Sequence, residues 1–91
     1  MPKIEIYTKN WCSYSARAKS DLKRLGLSYE EIDVTTDVVR EQEMINRTNR
    51  RTVPQIFVDG YHLGGSDDLR ESISNGQFAR LLTPAASGKA A

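Results

Sequence analysis

Two apolar runs, Pro54 to Asp59 and Tyr61 to Gly64, meet at Asp59-Gly60, and this junction constrains the fold more than any other part of the chain. An Asp-Gly pair joins antiparallel strands, because both residues tolerate the positive φ values of a tight hairpin. The second half therefore opens with an antiparallel pair. The first half reads differently. Lys3 to Thr8 alternates and then runs apolar, as a central strand does, and Ser13 to Leu25 sets Ala18, Leu22 and Leu25 at helical spacing before Gly26 ends the helix. Ser28 to Asp33 is short and rich in strand formers. Thr36 or Asp37 can cap a second helix that carries Val38, Met44 and Ile45 and ends between Asn46 and Asn49. Beyond the hairpin, Ser66 reads as an N-cap with Asp67 and Asp68 in the first turn. Leu69 and Ile73, then Phe78, Leu81 and Leu82 after Gly76, predict one broken or two short helices. The order is β-α-β-α-β-β-α, an α/β chain.

Ninety-one residues, 38% of them hydrophobic, suffice for one core and not for two. A single domain over residues 1–83 is expected. The small-residue stretch 84–91 has little to bury and is expected to be a flexible tail. With 13 basic against 12 acidic residues, the chain lacks the charge of a general nucleic-acid or membrane surface, although Arg47, Arg50 and Arg51 could make local ligand contacts. One cysteine permits neither an internal disulfide nor a multi-cysteine metal site, the usage of reducing compartments. Met1 to Glu5 lacks the apolar stretch of a signal peptide, and no segment is apolar enough to cross a bilayer. A cytoplasmic protein is expected, or an organellar one from which a transit peptide has been removed.

That one cysteine, Cys12, stands where the first strand turns into the first helix. Unpaired N–H groups and the positive end of the helix dipole favour a thiolate there, and Lys9 adds a positive charge on the same turn. The thiolate is the form that attacks disulfides. Trp11 and Tyr14 flank it in sequence, whereas nothing places His62 near it, so His62 reads as structural or exposed.

Three separated motifs, Trp11-Cys12-Ser13-Tyr14-Ser15, Arg51-Thr52-Val53-Pro54-Gln55 and Gly64-Gly65-Ser66-Asp67-Asp68-Leu69, resemble those of a glutaredoxin, and the likeness runs from Lys3 to about Leu82. The resemblance implies a thioredoxin-like fold, a four-stranded mixed sheet flanked by helices, and glutathione as co-substrate with no metal. It implies a cis Val53-Pro54 bond and a site in which Thr52, Val53 and Pro54 face the cysteinyl unit of glutathione by β-augmentation. Gly65, Ser66 and Asp67 would take the γ-glutamyl carboxylate on their N–H groups, with the Asp67 carboxylate meeting the ammonium. Lys9, with Arg51 or Arg47, would hold the glycyl carboxylate, and Tyr14 would flank the sulfur.

Dithiol members of the family carry a second cysteine where this chain has Ser15, so the resemblance leaves the monothiol route. The expected activity is reduction of protein-glutathione mixed disulfides, with Cys12 as nucleophile, glutathione and glutathionylated proteins as partners, and a monomeric chain. Two alternatives stand beside it. One is a carrier in which two subunits share an iron-sulfur cluster through Cys12 and glutathione. Members dedicated to that task carry glycine and phenylalanine where Ser13 and Tyr14 stand, which argues against it. The other is a dithiol glutaredoxin with serine substituted for cysteine at Ser15, Ser66 being a second position where relatives carry cysteine.

Overall fold

The computed structural model describes residues 2–83; the tail expected over 84–91 lies outside the described residues. Eight elements follow one another: β1 (Ile4–Thr8), α1 (Ser13–Arg24), β2 (Glu30–Asp33), α2 (Val38–Thr48), β3 (Gln55–Val58), β4 (Tyr61–Gly64), α3 (Ser66–Asn75) and α4 (Gln77–Leu81). The two terminal helices are distinct, parted at Gly76.

The strands form one sheet in the order β2-β1-β3-β4. β1 and β2 are parallel, as a strand-helix-strand crossover requires, and β1-β3 and β3-β4 are antiparallel. The sheet is therefore mixed and the fold thioredoxin-like. Asp59 (φ 50°) and Gly60 (φ 84°) both turn left-handed, the conformation of a two-residue hairpin. β2 is shorter than expected. It is an edge strand, begins at Glu30 opposite Glu5 of β1, and buries only Ile32.

Alternation along the strands divides the core in two. Ile4, Ile6, Ile56 and Val58 meet Ala18 and Leu22 of α1, Leu69 of α3 and Phe78 of α4 on one face. Tyr7, Ile32, Val34 and Phe57 meet Met44 of α2 on the other. Two residues expected on buried helix faces are not there. Leu25 is the C-cap of α1 and is exposed, at the mouth of an apolar cavity of about 210 Å³ that it lines with Leu27, Ile73, Phe78, Ala79 and Leu82. Val38 opens α2 at its solvent side and is 74% exposed.

α1 and α3 lie on the same face and start at the same end of the sheet, which brings the two helix N-termini to one rim. Asp21 of α1, almost wholly buried, accepts from Arg70 of α3 (Nε at 2.9 Å) and from Arg24 one turn on, so the two helices are cross-linked along their seam.

Candidate active site

Cys12 is the N-cap of α1, its backbone extended (φ −93°, ψ 117°) and its carbonyl accepting the first helical bond from the Ala16 N–H at 3.2 Å. A residue there directs its side chain over the first turn, whose N–H groups lack helical partners. The preceding loop is pinned by Asn10, whose N–H donates to Thr35 Oγ1 at 2.9 Å, and by the Cys12 N–H bonded to the Lys9 carbonyl at 3.2 Å. Partial burial pushes the Cys12 thiol up. The N–H and hydroxyl of Ser15, the N–H of Tyr14 and the charge of Lys9 outweigh it together, and the net shift is downward. Ser15 is buried, and its oxygen also lies 3.4 Å from the Lys9 N–H.

Across from the thiol runs the segment before β3. Val53-Pro54 is cis, and the Val53 carbonyl oxygen lies 3.6 Å from Cys12 Sγ as the acceptor of the S–H. Thr52 is exposed at its edge, and Arg51 beside it is exposed as well. The β4-α3 junction closes against Pro54: a Cβ added at Gly65 would stand 3.4 Å from the Pro54 carbonyl oxygen. At Gly64 (φ 125°) a Cβ would collide with the Asp68 carboxylate, so that turn also depends on glycine.

Several expected contacts are arranged differently. The N-cap of α3 is Gly65, not Ser66, because the Asp68 carboxylate reaches back to the Gly65 N–H at 2.9 Å. The Gly65 N–H is thus already bonded, while those of Ser66 and Asp67 lie in the first turn, where no helical carbonyl serves them. Ser66 Oγ accepts from Arg17 Nε at 2.7 Å, and the same guanidinium bonds the Asp67 carboxylate and lies 5.1 Å from the Tyr14 ring centroid. Lys9 is paired with Glu41 of α2 at 3.1 Å, its ammonium 5.5 Å from the Trp11 ring centroid. Arg47 points elsewhere altogether, stacked 3.7 Å from the Phe57 centroid and bonded to Tyr7 and Glu5 on the α2 face of the sheet. Trp11 (71% exposed) and Tyr14 (55%) stand open to solvent, so they cover the thiol less than their size suggests.

Residue type alone did not single out Arg17 or Gln55, since a helical arginine reads as solvated surface and a strand glutamine as an ordinary polar position. The signal for the Gly65 cap was present in Asp68, three residues on. His62 is half-buried, its Nε2 bonded to Gln55 Oε1 at 2.7 Å, and burial pushes its pKa down.

What stands on the rim is a single thiol with favoured ionisation, a main-chain segment facing it, and the open N–H groups of a second helix. Comparison with known proteins agrees with that chemistry. The glutaredoxin family model matches residues 4–63. Glutaredoxin 3 of Escherichia coli strain K12 is 44% identical over 82 residues, covering 90% of this chain and 99% of that protein. Monothiol glutaredoxin-S6 of rice is 41% identical over 83 residues, 88% of this chain and 63% of that longer protein. Among solved structures, the buckwheat glutaredoxin-glutathione complex superposes with a TM-score of 0.83 at 27% identity, covering 93% of this chain and 80% of that one. A thiol of this kind in a thioredoxin-like frame, with the family's pattern across most of its length, places the chain in the glutaredoxin family of oxidoreductases.

Proposed function

We propose that the protein is a glutathione-dependent thiol-disulfide oxidoreductase that reduces protein-glutathione mixed disulfides by a monothiol mechanism. The observation that carries this reading is Cys12 itself, a thiol at the N-cap position of α1, held toward its ionised form and facing the Val53 main chain. The Cys12 thiolate attacks the glutathione sulfur of the mixed disulfide, a new S–S bond forms, and the protein sulfur leaves as a thiolate that takes a proton from solvent. A second glutathione thiolate then attacks the adduct, releasing oxidised glutathione and restoring Cys12. Per turnover one glutathione thiol is oxidised and one protein sulfur is reduced, the other glutathione sulfur remaining in a disulfide throughout, and no second protein thiol is needed. Ser15 supplies a hydrogen bond to the attacking sulfur.

Glutathione would lie with its cysteinyl unit against Thr52, Val53 and Pro54. Its γ-glutamyl carboxylate would meet the first-turn N–H groups of Ser66 and Asp67, beside Gly65. The Asp67 carboxylate would take the ammonium while still held by Arg17, and the bridging geometry leaves its second oxygen for this. The glycyl carboxylate would fall between Lys9 and Arg51, Lys9 exchanging its contact with Glu41 for the ligand. Tyr14 would cover the sulfur side. The domain limits 1–83 and a monomeric chain belong to the same proposal.

The test is turnover of a glutathionylated peptide with glutathione and a recycling reductase. The parent is expected to be active, Cys12→Ser inactive, and Ser15→Cys active with dithiol reduction added. Turnover by Cys12→Ser would overturn the mechanism.

A further inference from the structure

Behind the Thr52–Pro54 segment lies a buried amide that the proposed mechanism does not use. Gln55, 1% exposed in β3, turns its side chain toward the α2 face of the sheet and back beneath the segment that precedes it. Its Nε2 donates to the Thr52 carbonyl at 3.1 Å and lies 3.2 Å from Thr52 Oγ1. Its Oε1 lies 2.7 Å from His62 Nε2 on the neighbouring strand β4. An amide has distinct ends. With the nitrogen on the Thr52 oxygens, the oxygen must accept from His62, which therefore carries its proton on Nε2. The His62 ring is held in turn against Phe57, with centroids 5.1 Å apart at 31°.

We infer that Gln55 is a positioning residue for glutathione: its amide, set the right way round by His62, fixes the Thr52 main chain and so aims the adjoining Val53 backbone at the substrate and Cys12. Thr52 and Val53 lie between the end of α2 and the start of β3, outside every strand ladder. Backbone without a ladder needs another tether to hold one geometry. The Gln55 amide supplies it from a rigid strand, and one residue further on the Val53 carbonyl faces Cys12 Sγ at 3.6 Å. A main chain preset in this way binds without first losing its own freedom. His62, read from the sequence as structural or exposed, then has a defined task, because without its N–H the buried amide oxygen has no donor and the amide is held in place from the Thr52 end alone. For its kinetic consequence this inference rests on the proposed function; for its structural consequence it does not.

Gln55→Met keeps the length and apolar stem of the side chain and removes both amide ends. His62→Phe keeps the ring on Phe57 and removes the N–H. Three readouts are compared with the parent: steady-state kinetics on a glutathionylated peptide, the rate of Cys12 alkylation by iodoacetamide, and the order of the Thr52 and Val53 amides by nitrogen-15 relaxation. Gln55→Met is expected to raise KM for the peptide by about tenfold, the weight of one well-placed hydrogen bond. The value of kcat and the alkylation rate should stay within about twofold of the parent, since the chemistry at sulfur is not what the tether controls. His62→Phe should raise KM by about threefold, the oriented fraction of the amide falling without loss of the amide itself. In both variants Thr52 and Val53 should lose order while the strands keep theirs. Unchanged KM with unchanged order would overturn the inference. So would parallel losses in kcat, alkylation and order throughout the chain in both variants, the mark of a general packing role. Should the parent fail to turn the peptide over, the proposed function falls, and the relaxation data on Thr52 and Val53 decide the inference by themselves.

Discussion

The two faces of the sheet are packed by different chemistry. Against α1, α3 and α4 lie Ile4, Ile6, Ile56, Val58, Ala18, Leu22, Leu69 and Phe78, and the charged contacts of that side lie at its borders, in the seam between the helices and at the sheet edge, where Lys19 of α1 pairs with Glu31 of β2. Against α2 the core is smaller, Tyr7 and Phe57 standing beside Ile32, Val34 and Met44, and charged groups reach its aromatic rings. Tyr7 meets Phe57 edge to face, Arg47 lies flat on Phe57, and the Tyr7 hydroxyl bonds both Arg47 and Glu43. Aliphatic packing grips strongly but has little directional preference, whereas hydrogen-bonded charges contribute less net energy and fix orientation. The division suits the site. The two helices whose N-termini flank Cys12 and Ser66 sit on the strongly gripping face, and the single helix that offers Glu41 to Lys9 is registered by directional bonds.

The largest effect should follow from opening the aliphatic face. Leu22 is fully buried in α1 between the sheet and α3, and Leu22→Ala should cost about 3 kcal/mol from lost transfer energy and the cavity left behind. Denaturant unfolding followed by circular dichroism measures it. A cost under about 1 kcal/mol would mean that this face tolerates voids, and the contrast between the faces would not stand.

The other face is broken by removing a charge. Arg47→Met should cost about 1–2 kcal/mol, because Glu5 and the Tyr7 hydroxyl lose a partner in partly buried positions. The sharper measurement is the double variant Glu5→Met with Arg47→Met. It should be more stable than Arg47→Met alone, since no carboxylate is then left without its partner. If the double variant is the less stable by the sum of two independent losses, the Glu5–Arg47 contact is not an energetic unit, and the α2 face is held by its apolar packing alone.

Much of this frame is legible in the sequence, and the reasons are local. β1 and α1 follow from periodicity within single segments, and the hairpin from Asp59-Gly60, whose positive φ values are a property of two adjacent residues. The strand-to-helix placement of Cys12 is local too, and the motifs around Val53-Pro54 and Gly65-Asp67 were visible through resemblance. What could not be read depends on which side chains the fold brings together. Arg47 looked like a ligand contact because basic residues cluster near it, yet its partners Glu5 and Tyr7 are about forty residues away. Arg17 finds Ser66 and Asp67 in α3, and Gln55 finds His62 across a hairpin. Lys9 was read for its charge without its neutralising partner, Glu41. The N-cap of α3 was misplaced by one residue because the Ser66 hydroxyl is a good cap in isolation, and only the Asp68 contact to Gly65 decides against it.

The smallest of these effects is expected at the seam where the strongly gripping face carries its own buried charge. Asp21 is 2% exposed, and the guanidinium of Arg70, with that of Arg24 behind it, holds its carboxyl below the usual carboxylate range against the opposing effect of burial. A carboxyl whose folded pKa is depressed stabilises the fold above its unfolded pKa, and that contribution is lost as the pH falls through the folded value. Asp21→Asn keeps the shape and one acceptor for Arg70 but removes the charge, and both arginines remain at least half open to water, so about 1 kcal/mol should be lost at neutral pH. The gap between parent and variant should stay constant from neutral pH down to the ordinary carboxylate range and close below it. A gap that persists unchanged in strong acid would assign Asp21 a packing role, and the seam would then differ from the rest of its face in composition only.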